Sequence, residues 1–321
     1  MARNVLDGTG WLVEQRDGNL AKAYAHTSVI DSEFRPIIMT ANTVEIPRIE
    51  DMDVEFIPKG GAYPEDQSSA DTMKISAAKI GGALRIAEED VDDDKLANYL
   101  DEKKTSAGSS FAKKVDNAGL GVTAAQSGVT VPFTSLYRTL TTADATTGYA
   151  ANDNYRGGAL PDSEAVYDMI SELLEVVETS DYFDESGAVA IAHPSFRRIF
   201  RDAKDLQGRP LFLSDYVGDR KVERILDLPI RWSNGAKTSA APMTKVTGAG
   251  GAKGAQGNPL FAIVQKQLAV VGRRKALESV VIPGRDGLSA LTDEDILKVR
   301  ARIAVGYTVP EAHAIFELTS A

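Results

Sequence analysis

Cysteine is absent from this chain of 321 residues, and histidine occurs only as His26, His193 and His313. The lack of cysteine excludes disulfides, thiolate nucleophiles, iron–sulfur clusters and cysteine-based zinc sites. The histidines lie far apart, so that no His-x-x-x-His or similar metal-ligand spacing exists. The sequence therefore predicts no metal and no cofactor.

Long hydrophobic runs are also missing. No run approaches the roughly 18 apolar residues that a membrane-crossing helix needs, and the first residues lack the apolar stretch of a signal peptide. This pattern predicts a protein that stays in the cytosol, with no membrane partner. Lys and Arg number 36 against 46 for Asp and Glu, and the formal net charge of −10 disfavours nonspecific binding of nucleic acid.

Motifs of phosphate and catalytic sites are equally scarce. No Gly-x-x-x-x-Gly-Lys-Ser/Thr and no Gly-x-Ser-x-Gly occurs. Gly119-Leu-Gly-Val-Thr-Ala124 fits a dinucleotide pattern but follows a predicted helix instead of a strand, and this context rejects it. His193 precedes Pro194 and Ser195 and could serve as the base of a hydrolase. A structural role at the start of a helix is favoured.

Two short basic clusters remain to be interpreted. Arg197, Arg198 and Arg201 form one, and Arg273-Arg-Lys275 forms the other. Neither has an aromatic platform beside it, so we interpret both as sources of salt bridges between subunits and not as readers of nucleic acid.

Hydrophobic periodicity organises the first half of the chain. Alternation predicts strands over 43–49, 53–57 and 72–80, which form a long hairpin around a polar segment. The acidic cluster 88–94 and apolar residues at three- and four-residue steps up to Ala118 predict one long helix. Gly108 weakens this helix near its middle, where a bend is expected.

The second half begins after a region of weak periodicity, 119–161, which suits a connecting region and a domain boundary. An apolar stripe predicts a helix between Pro161 and Ser180, followed by a strand over 187–192 and a short helix from Phe196 to Ala203. Further strands are expected over 222–232, 260–264 and 269–271, and over 298–309, where Arg300 and Arg302 face outward, with a short closing strand within 310–318.

Five segments appear in a characteristic order: Val44-Glu-Ile-Pro-Arg48, Phe111-Ala-Lys-Lys-Val-Asp-Asn-Ala-Gly-Leu-Gly121, Ala190-Ile-Ala-His-Pro194, Asp205-Leu-Gln-Gly-Arg-Pro-Leu211 and Val299-Arg-Ala-Arg302. This order and spacing resembles the major capsid proteins of tailed bacteriophages, which share the Hong Kong ninety-seven fold. The resemblance runs from about residue 43 to 318.

The resemblance implies an α+β fold, the phage major-capsid fold. It implies an N-terminal arm (1–42), an extended β-hairpin loop (43–88), a peripheral domain with a long spine helix (89–158), an axial domain (159–292) and C-terminal strands that complete the peripheral domain (293–321). Carried over to this sequence, the loop tip with Lys59, Gly60, Gly61 and Tyr63 contacts a neighbouring subunit. Gly108 becomes the hinge of the spine helix, whose curvature changes in that family when the shell expands during maturation.

The implied function is structural and not enzymatic. Copies assemble through pentamers and hexamers into an icosahedral phage head, a virion component made in the bacterial host cytoplasm, which encloses double-stranded DNA without sequence-specific binding. The implied partners are other copies, a portal, a separate scaffolding protein or a removed prepiece, and a decoration protein. Because no Asn follows Asn258, we expect a shell without covalent cross-links. The alternatives are an encapsulin-like compartment shell of the same fold and a cytosolic hydrolase that uses His193.

Overall fold

Helices and sheets are mixed along the chain. The computed structural model describes residues 28–49, 54, 56–63, 70–87, 99–128, 131–159, 165–202, 212–217, 220–238, 257–282 and 294–319. The helices are α1 (Val29–Glu33), α2 (Tyr99–Leu120), α3 (Leu136–Leu140), α4 (Ala165–Glu178) and α5 (Phe196–Asp202). The strands are β1 (Arg35–Ile38), β2 (Thr43–Ile49), β3 (Ala70–Ser76), β4 (Ala78–Ala87), β5 (Tyr155–Gly158), β6 (Ala188–Ala192), β7 (Phe212–Val217), β8 (Arg220–Ile225), β9 (Leu228–Trp232), β10 (Leu260–Gln265), β11 (Ala269–Ile282), β12 (Glu294–Tyr307) and β13 (Ala314–Leu318). The α+β class expected from the sequence is confirmed.

A seven-stranded sheet forms the larger layer, with the order β5-β13-β10-β6-β9-β8-β7. Strand β6 lies at its centre between β10 and β9, and all of its residues are buried. Its sequence, Ala-Val-Ala-Ile-Ala, suits that place because a strand covered on both faces carries no polar side chain. The strand predicted over 187–192 is confirmed.

Helices α4 and α5 cover one face of this sheet. The stripe on α4 that includes Val166, Ile170 and Leu173 is buried and shares a core with Phe196 and Phe200 of α5. These positions recur at three- and four-residue steps, which place them on one side of a helix. The two helices predicted from periodicity are thus confirmed within the described residues.

A four-stranded sheet forms the second layer, with the order β1-β11-β12-β4. Strands β11 and β12 contain 14 residues each and pair antiparallel, and β4 pairs antiparallel with the other edge of β12. On one face of this sheet, Ile80 and Ile303 share a core with Val115 and Ala118 of α2. The predicted long helix is therefore present over 99–120, and its predicted start near the acidic cluster 88–94 lies outside the described residues.

The segment 119–161 is not a simple connection. Phe133, Leu136, Leu140 and Tyr149 from this segment are almost fully buried in the core that holds α2. The prediction of a connecting region was wrong, because these side chains come from turns and the short helix α3, and therefore show no regular period. Strand β5 follows and pairs parallel with β13 in the seven-stranded sheet.

The two C-terminal strands divide between the sheets. Strand β12 pairs with β4 and β11 in the four-stranded sheet, whereas β13 pairs with β10 and β5 in the seven-stranded sheet. The sequence placed both strands in one unit, 293–321. The difference arises because a 3₁₀ turn at Pro310–Ala312 redirects the chain between them.

Strands β2 and β3 form the predicted hairpin, in antiparallel register from Thr43 opposite Ser76 to Ile49 opposite Ala70. The strand predicted over 53–57 is not found at residues 54, 56 and 57, the members of that segment which the structure describes. Val54 and Phe56 alternate with acidic residues in the sequence, as in a half-buried strand. Both side chains are nevertheless exposed, and these described residues pair with no other strand.

Asp116 of α2 connects three segments inside the protein. Its fully buried carboxylate accepts hydrogen bonds from the hydroxyls of Ser28 and Ser233, each at 2.6 Å. It also accepts from the backbone N–H groups of Val29 and Ile30, at 3.1 and 3.3 Å. These N–H groups begin α1 and have no partner within that helix, so Asp116 satisfies them.

Asn117, the next residue, attaches the turn after β9 to the end of α2. Its side-chain amide donates to the carbonyl oxygens of Gly235 and Lys237, at 3.2 and 2.8 Å. A Cβ at Gly121 would overlap the Lys237 carbonyl, so that only glycine allows this close approach. The segment 28–34 of the predicted arm and the turn 233–237 are therefore both held by the end of one helix.

His313 is the second buried titratable group that joins separate elements. Its imidazole is fully buried between β12 and β13, and its Nδ1 accepts a hydrogen bond from the Gln265 backbone N–H at 3.2 Å. The ring also lies edge-to-face with Tyr307, with 5.4 Å between the ring centroids. Burial lowers the pKa of His313 from 6.5 to about 3.

This burial predicts a loss of stability in mild acid. The unfolded chain binds a proton at His313 near pH 6.5, but the folded chain binds it only near pH 3, so the contribution is fully present above 6.5 and is lost as the pH falls toward 3. We expect His313 to lower the free energy of unfolding by about 2 kcal/mol between about pH 7 and about pH 5. Urea denaturation of wild type and His313→Gln at both pH values measures this. A variant whose stability falls as steeply as that of wild type would contradict it.

Candidate assembly surfaces

The base of the β2–β3 hairpin is packed against the four-stranded sheet. Ile46 of β2 and Ile75 of β3 are buried together with Met39, Val270 and Ala304. This small core differs from the larger ones because hairpin and sheet contribute to it together. It fixes the hairpin where the hairpin leaves the body of the protein.

Arg48 adds a polar anchor beside this core. Its guanidinium group contacts the carboxylate of Asp71 on β3, and it donates to Asp144 Oδ2 at 2.7 Å and to the Thr308 carbonyl oxygen at 3.1 Å. Burial alone would raise the pKa of Asp144, but the hydrogen bond and charge of Arg48, together with backbone N–H groups at Thr146 and Thr147, lower that pKa. Arg48 therefore joins both strands of the hairpin to the chain around 144 and to the end of β12.

The chain beyond this anchor exposes large apolar side chains. Phe56 is fully exposed, and Val54 and Tyr63 are 86% and 85% exposed. Ile38, on the edge strand β1, is 88% exposed. Single exposed apolar residues are common, but three within ten residues of one segment are unusual, and they make this segment a candidate contact surface.

The tip of this segment has a defined turn. The N–H of Gly61 donates to the Pro58 carbonyl oxygen at 2.8 Å, and Gly60 has a φ of 85°, which favours glycine. Lys59 lies between Pro58 and Gly60, and its side chain is in solvent. Three of the four loop residues singled out from the sequence thus lie in one exposed turn, and Tyr63 follows it and is also exposed. Their contact with another subunit remains a prediction.

Gly108 lies in the middle of α2. A Cβ built there would meet no heavy atom within 4 Å, so that nothing in the single chain requires glycine. Glycine lowers helix stability by about 1 kcal/mol relative to alanine. Its assigned role as a hinge remains a prediction.

His193 contacts Ser195, two residues later in the chain. His193 Nδ1 lies 2.8 Å from Ser195 Oγ and also accepts from the Ser195 backbone N–H at 3.2 Å. Burial, and secondarily the charge of Lys237, lowers the pKa of His193 to about 4. Both contacts use the same ring nitrogen at the start of α5, and among the described residues no carboxylate bonds the ring. The helix-entry interpretation agrees with this geometry, and His26 lies outside the described residues.

The basic clusters find partners within the chain. Arg197 lies over the ring of Trp232, with 4.8 Å between its Cζ and the ring centroid, Arg273 pairs with Asp31 at 2.6 Å and Lys275 pairs with Glu278 at 2.7 Å. In the part of the chain that the structure describes, no group of three or more His, Asp or Glu side chains could hold a metal ion. No helix in that part is long and apolar enough to span a membrane.

Sequence reasoning missed Arg48 as an anchor. The residue was recognised only as part of the Val44-Glu-Ile-Pro-Arg48 segment. The sequence signal for this role was a cation within a predicted hairpin strand. The structure places it opposite Asp71 of the other strand.

Comparison with known proteins places this arrangement in a family. A sequence model described as the phage capsid family matches residues 10–268. No curated protein sequence matches the chain.

Solved structures share the whole architecture at low sequence identity. A chain of Mycobacterium phage Bobi is 15% identical, with a TM-score of 0.66, over 98% of each chain. The capsid of a native GTA particle is 16% identical, with a TM-score of 0.66, over 100% of each chain. The mature capsid of bacteriophage PhiM1 is 15% identical, with a TM-score of 0.60, over 96% of this chain and 92% of that one. At these identities the similarity establishes the fold.

The Arg48 anchor yields a prediction about the hairpin. Arg48→Lys keeps a positive charge but cannot contact two carboxylates and a carbonyl together, so we expect amide hydrogen exchange in β3 to accelerate about tenfold, as for a loss of about 1.4 kcal/mol. Exchange in β6, distant from the anchor, should be unchanged.

Lys74→Ala is the matched control. Lys74 pairs with Glu45 across the same hairpin at 3.0 Å, but both side chains are more than half exposed. Such a pair contributes little, and its loss should leave exchange in β3 nearly unchanged. Equal acceleration in both variants would show that Arg48 is no special anchor.

Proposed function

The chain belongs to the phage capsid family, and we propose that its copies assemble through pentamers and hexamers into an icosahedral head that encloses double-stranded DNA. The protein is a structural major capsid protein of the virion. The observation that carries the mode of assembly is the projecting loop. Its apolar side chains at Val54, Phe56 and Tyr63 are exposed, while its base is fixed by a core and by Arg48.

The domains follow from the two sheets. We assign the four-stranded sheet with α2 to the peripheral domain, and the seven-stranded sheet with α4 and α5 to the axial domain. Within the segment 43–88, β2, β3 and the residues between them form the extended loop hairpin, whereas β4 belongs to the four-stranded sheet. The segment 1–42 forms the arm, whose strand β1 joins the same sheet. The pairing of β13 with β10 supports moving 314–318 from the peripheral to the axial domain.

The partners proposed beyond other copies are a portal, a scaffolding protein or removed prepiece, a decoration protein and double-stranded DNA held without sequence readout. Assembly takes place in the bacterial host cytoplasm, and the protein has no enzymatic activity. Within the described residues no carboxylate bonds the His193 ring, so that the group which would orient the base is lacking there, and this supports the last point.

Electron microscopy with light scattering tests the assembly proposal. The chain is produced alone and then together with candidate scaffolding proteins of the same phage. Spherical or icosahedral particles, or rings of five and six, are the expected result, and the contents distinguish a DNA-filled head from an encapsulin-like compartment. A monomer or dimer under every condition would refute the proposal.

The exposed loop residues predict a specific assembly defect. We expect Phe56→Ser combined with Tyr63→Ser to reduce the yield of particles at least tenfold, because each aromatic side chain contributes about 1.5 to 3 kcal/mol when an interface buries it. Thermal unfolding of the unassembled chain should be unchanged, since neither side chain is buried within it.

Tyr63→Phe is the matched control, because it keeps the ring and removes only the hydroxyl group. This variant should assemble like wild type. Normal particle yield from the double variant would show that the loop is not an assembly contact.

The hinge assignment predicts an effect at Gly108. Gly108→Ala stabilises α2 by about 1 kcal/mol without a clash, and we expect it to hinder a change of helix curvature during maturation. Shells of this variant should form but remain unexpanded in electron micrographs. Ser110→Ala, an exposed substitution on the same helix, should mature normally. Normal expanded heads from Gly108→Ala would contradict the hinge.

A further inference from the structure

A buried lysine without a counter-charge lies in the turn that follows β9. Lys237 is only 4% exposed, and within the described residues no group accepts a hydrogen bond from its ammonium group. Burial lowers the pKa of Lys237, and among those residues no carboxylate lies close enough to raise it again. Buried lysines are normally paired, because it is costly to take a charge out of water.

The backbone holds Lys237 in this place. Its carbonyl oxygen accepts from the side-chain amide of Asn117 at 2.8 Å, and its N–H donates to the Gly235 carbonyl oxygen at 2.8 Å. Lys237 also forms an isolated β-bridge with Pro259. The residue therefore cannot carry its charge into bulk water without breaking these contacts.

His193 approaches Lys237 from the other side of Leu260. The N–H of His193 donates to the Leu260 carbonyl oxygen at 3.0 Å, and the N–H of Leu260 donates to the Ala236 carbonyl oxygen at 2.9 Å. The charge of Lys237 contributes to the low pKa of His193, which agrees with this arrangement. The two cation-forming side chains thus lie at one end of the seven-stranded sheet.

The imidazole of His193 presents a second donor. Its Nδ1 accepts from the Ser195 backbone N–H at 3.2 Å, so the neutral ring carries its proton on Nε2. In the part of the chain that the structure describes, no group accepts from this Nε2–H. Neither His193 Nε2 nor Lys237 Nζ is completely enclosed, so that both can be reached from solvent.

The surrounding sequence supplies no negative charge. No Asp or Glu occurs from Leu228 to Leu277. Arg197, on the helix that begins after His193, adds a further cation and lies over the ring of Trp232. In a chain with a net charge of −10, this local excess of positive charge attracts an anion.

We propose that Lys237 and His193 form a binding site for a small oxyanion of the phosphate class. The ammonium group and the Nε2–H each donate to one of its oxygens, and hydrogen bonds of this charge-assisted kind are stronger than neutral ones. The bound anion neutralises Lys237 and connects the end of β6 to the turn after β9. All of these groups belong to one subunit, so the site is independent of the assembly proposal.

Titration with inorganic phosphate tests this site on the unassembled full chain. The chain contains only three histidines, so that the ring nitrogens of His193 can be followed by NMR. We expect the Nε2 resonance to shift to a plateau, and the melting temperature to rise, as sodium phosphate increases from zero to about 50 mM. Sodium chloride at the same ionic strength should produce neither change.

Two substitutions remove the two donors. Lys237→Met keeps an apolar side chain of similar length, and we expect it to weaken phosphate binding about tenfold or more. Its melting temperature without phosphate should equal or exceed that of wild type, because an unpaired buried charge is removed. His193→Asn retains an acceptor for the Ser195 N–H but lacks the Nε2 donor, and it should weaken binding about fivefold.

Lys266→Met is the matched control. Lys266 lies in the same stretch without acidic residues, but it pairs with Glu33 at 2.9 Å. Since its charge already has a partner, this variant should bind phosphate like wild type.

A phosphate response that persists in Lys237→Met, or one that sodium chloride reproduces, would overturn this inference. A DNA oligonucleotide that shifts the His193 resonance where inorganic phosphate has no effect would also overturn it, because the cations would then serve nucleic acid. A saturable response that is lost in Lys237→Met and kept in Lys266→Met would establish the site.

Discussion

The buried carboxylate of Asp116 is the interaction on which the rest of the structure depends. A buried charge is tolerated only when hydrogen bonds replace its water, and two hydroxyls and two backbone N–H groups do so here. These donors belong to the start of α1 and to the turn after β9. Since α2 also lies under the four-stranded sheet, one residue determines how the N-terminal segment, the long helix and both sheets meet.

The assembly surfaces follow from this arrangement. The four-stranded sheet is held on one face by α2, which leaves the other face for the hairpin and for positive charge. The hairpin base is rigid at Arg48, whereas the loop beyond it is exposed. A segment whose base is already fixed loses less conformational entropy when it binds a neighbouring subunit. This suits a contact that every subunit of a shell would make in the same way.

Sequence patterns predicted the elements that need only apolar surroundings and no particular partner residue. The stripe of α4 needs only some apolar surface, and the run Ala188–Ala192 needs only burial, so local periodicity identified both. The packing of Phe133 and the pairing of β5 with β13 were missed because they depend on partners distant in sequence. Asp116 was missed for the same reason, since its donors come from two remote segments. The outward alternation of Arg300 and Arg302 was visible in the sequence, but the row that Arg302 forms with Lys275 and Lys79 across three strands required the register.

The long pairing of β11 with β12 has a mechanical consequence. Their register extends from Ala269 opposite Tyr307 to Ile282 opposite Ile296, and β4 continues it on the far edge of β12. Antiparallel hydrogen bonds lie perpendicular to the strands. Tension along the strands therefore loads these bonds in shear, all at once, whereas a pull across the sheet opens them one after another. A wall built from such subunits resists stretching best in the direction in which its strands run.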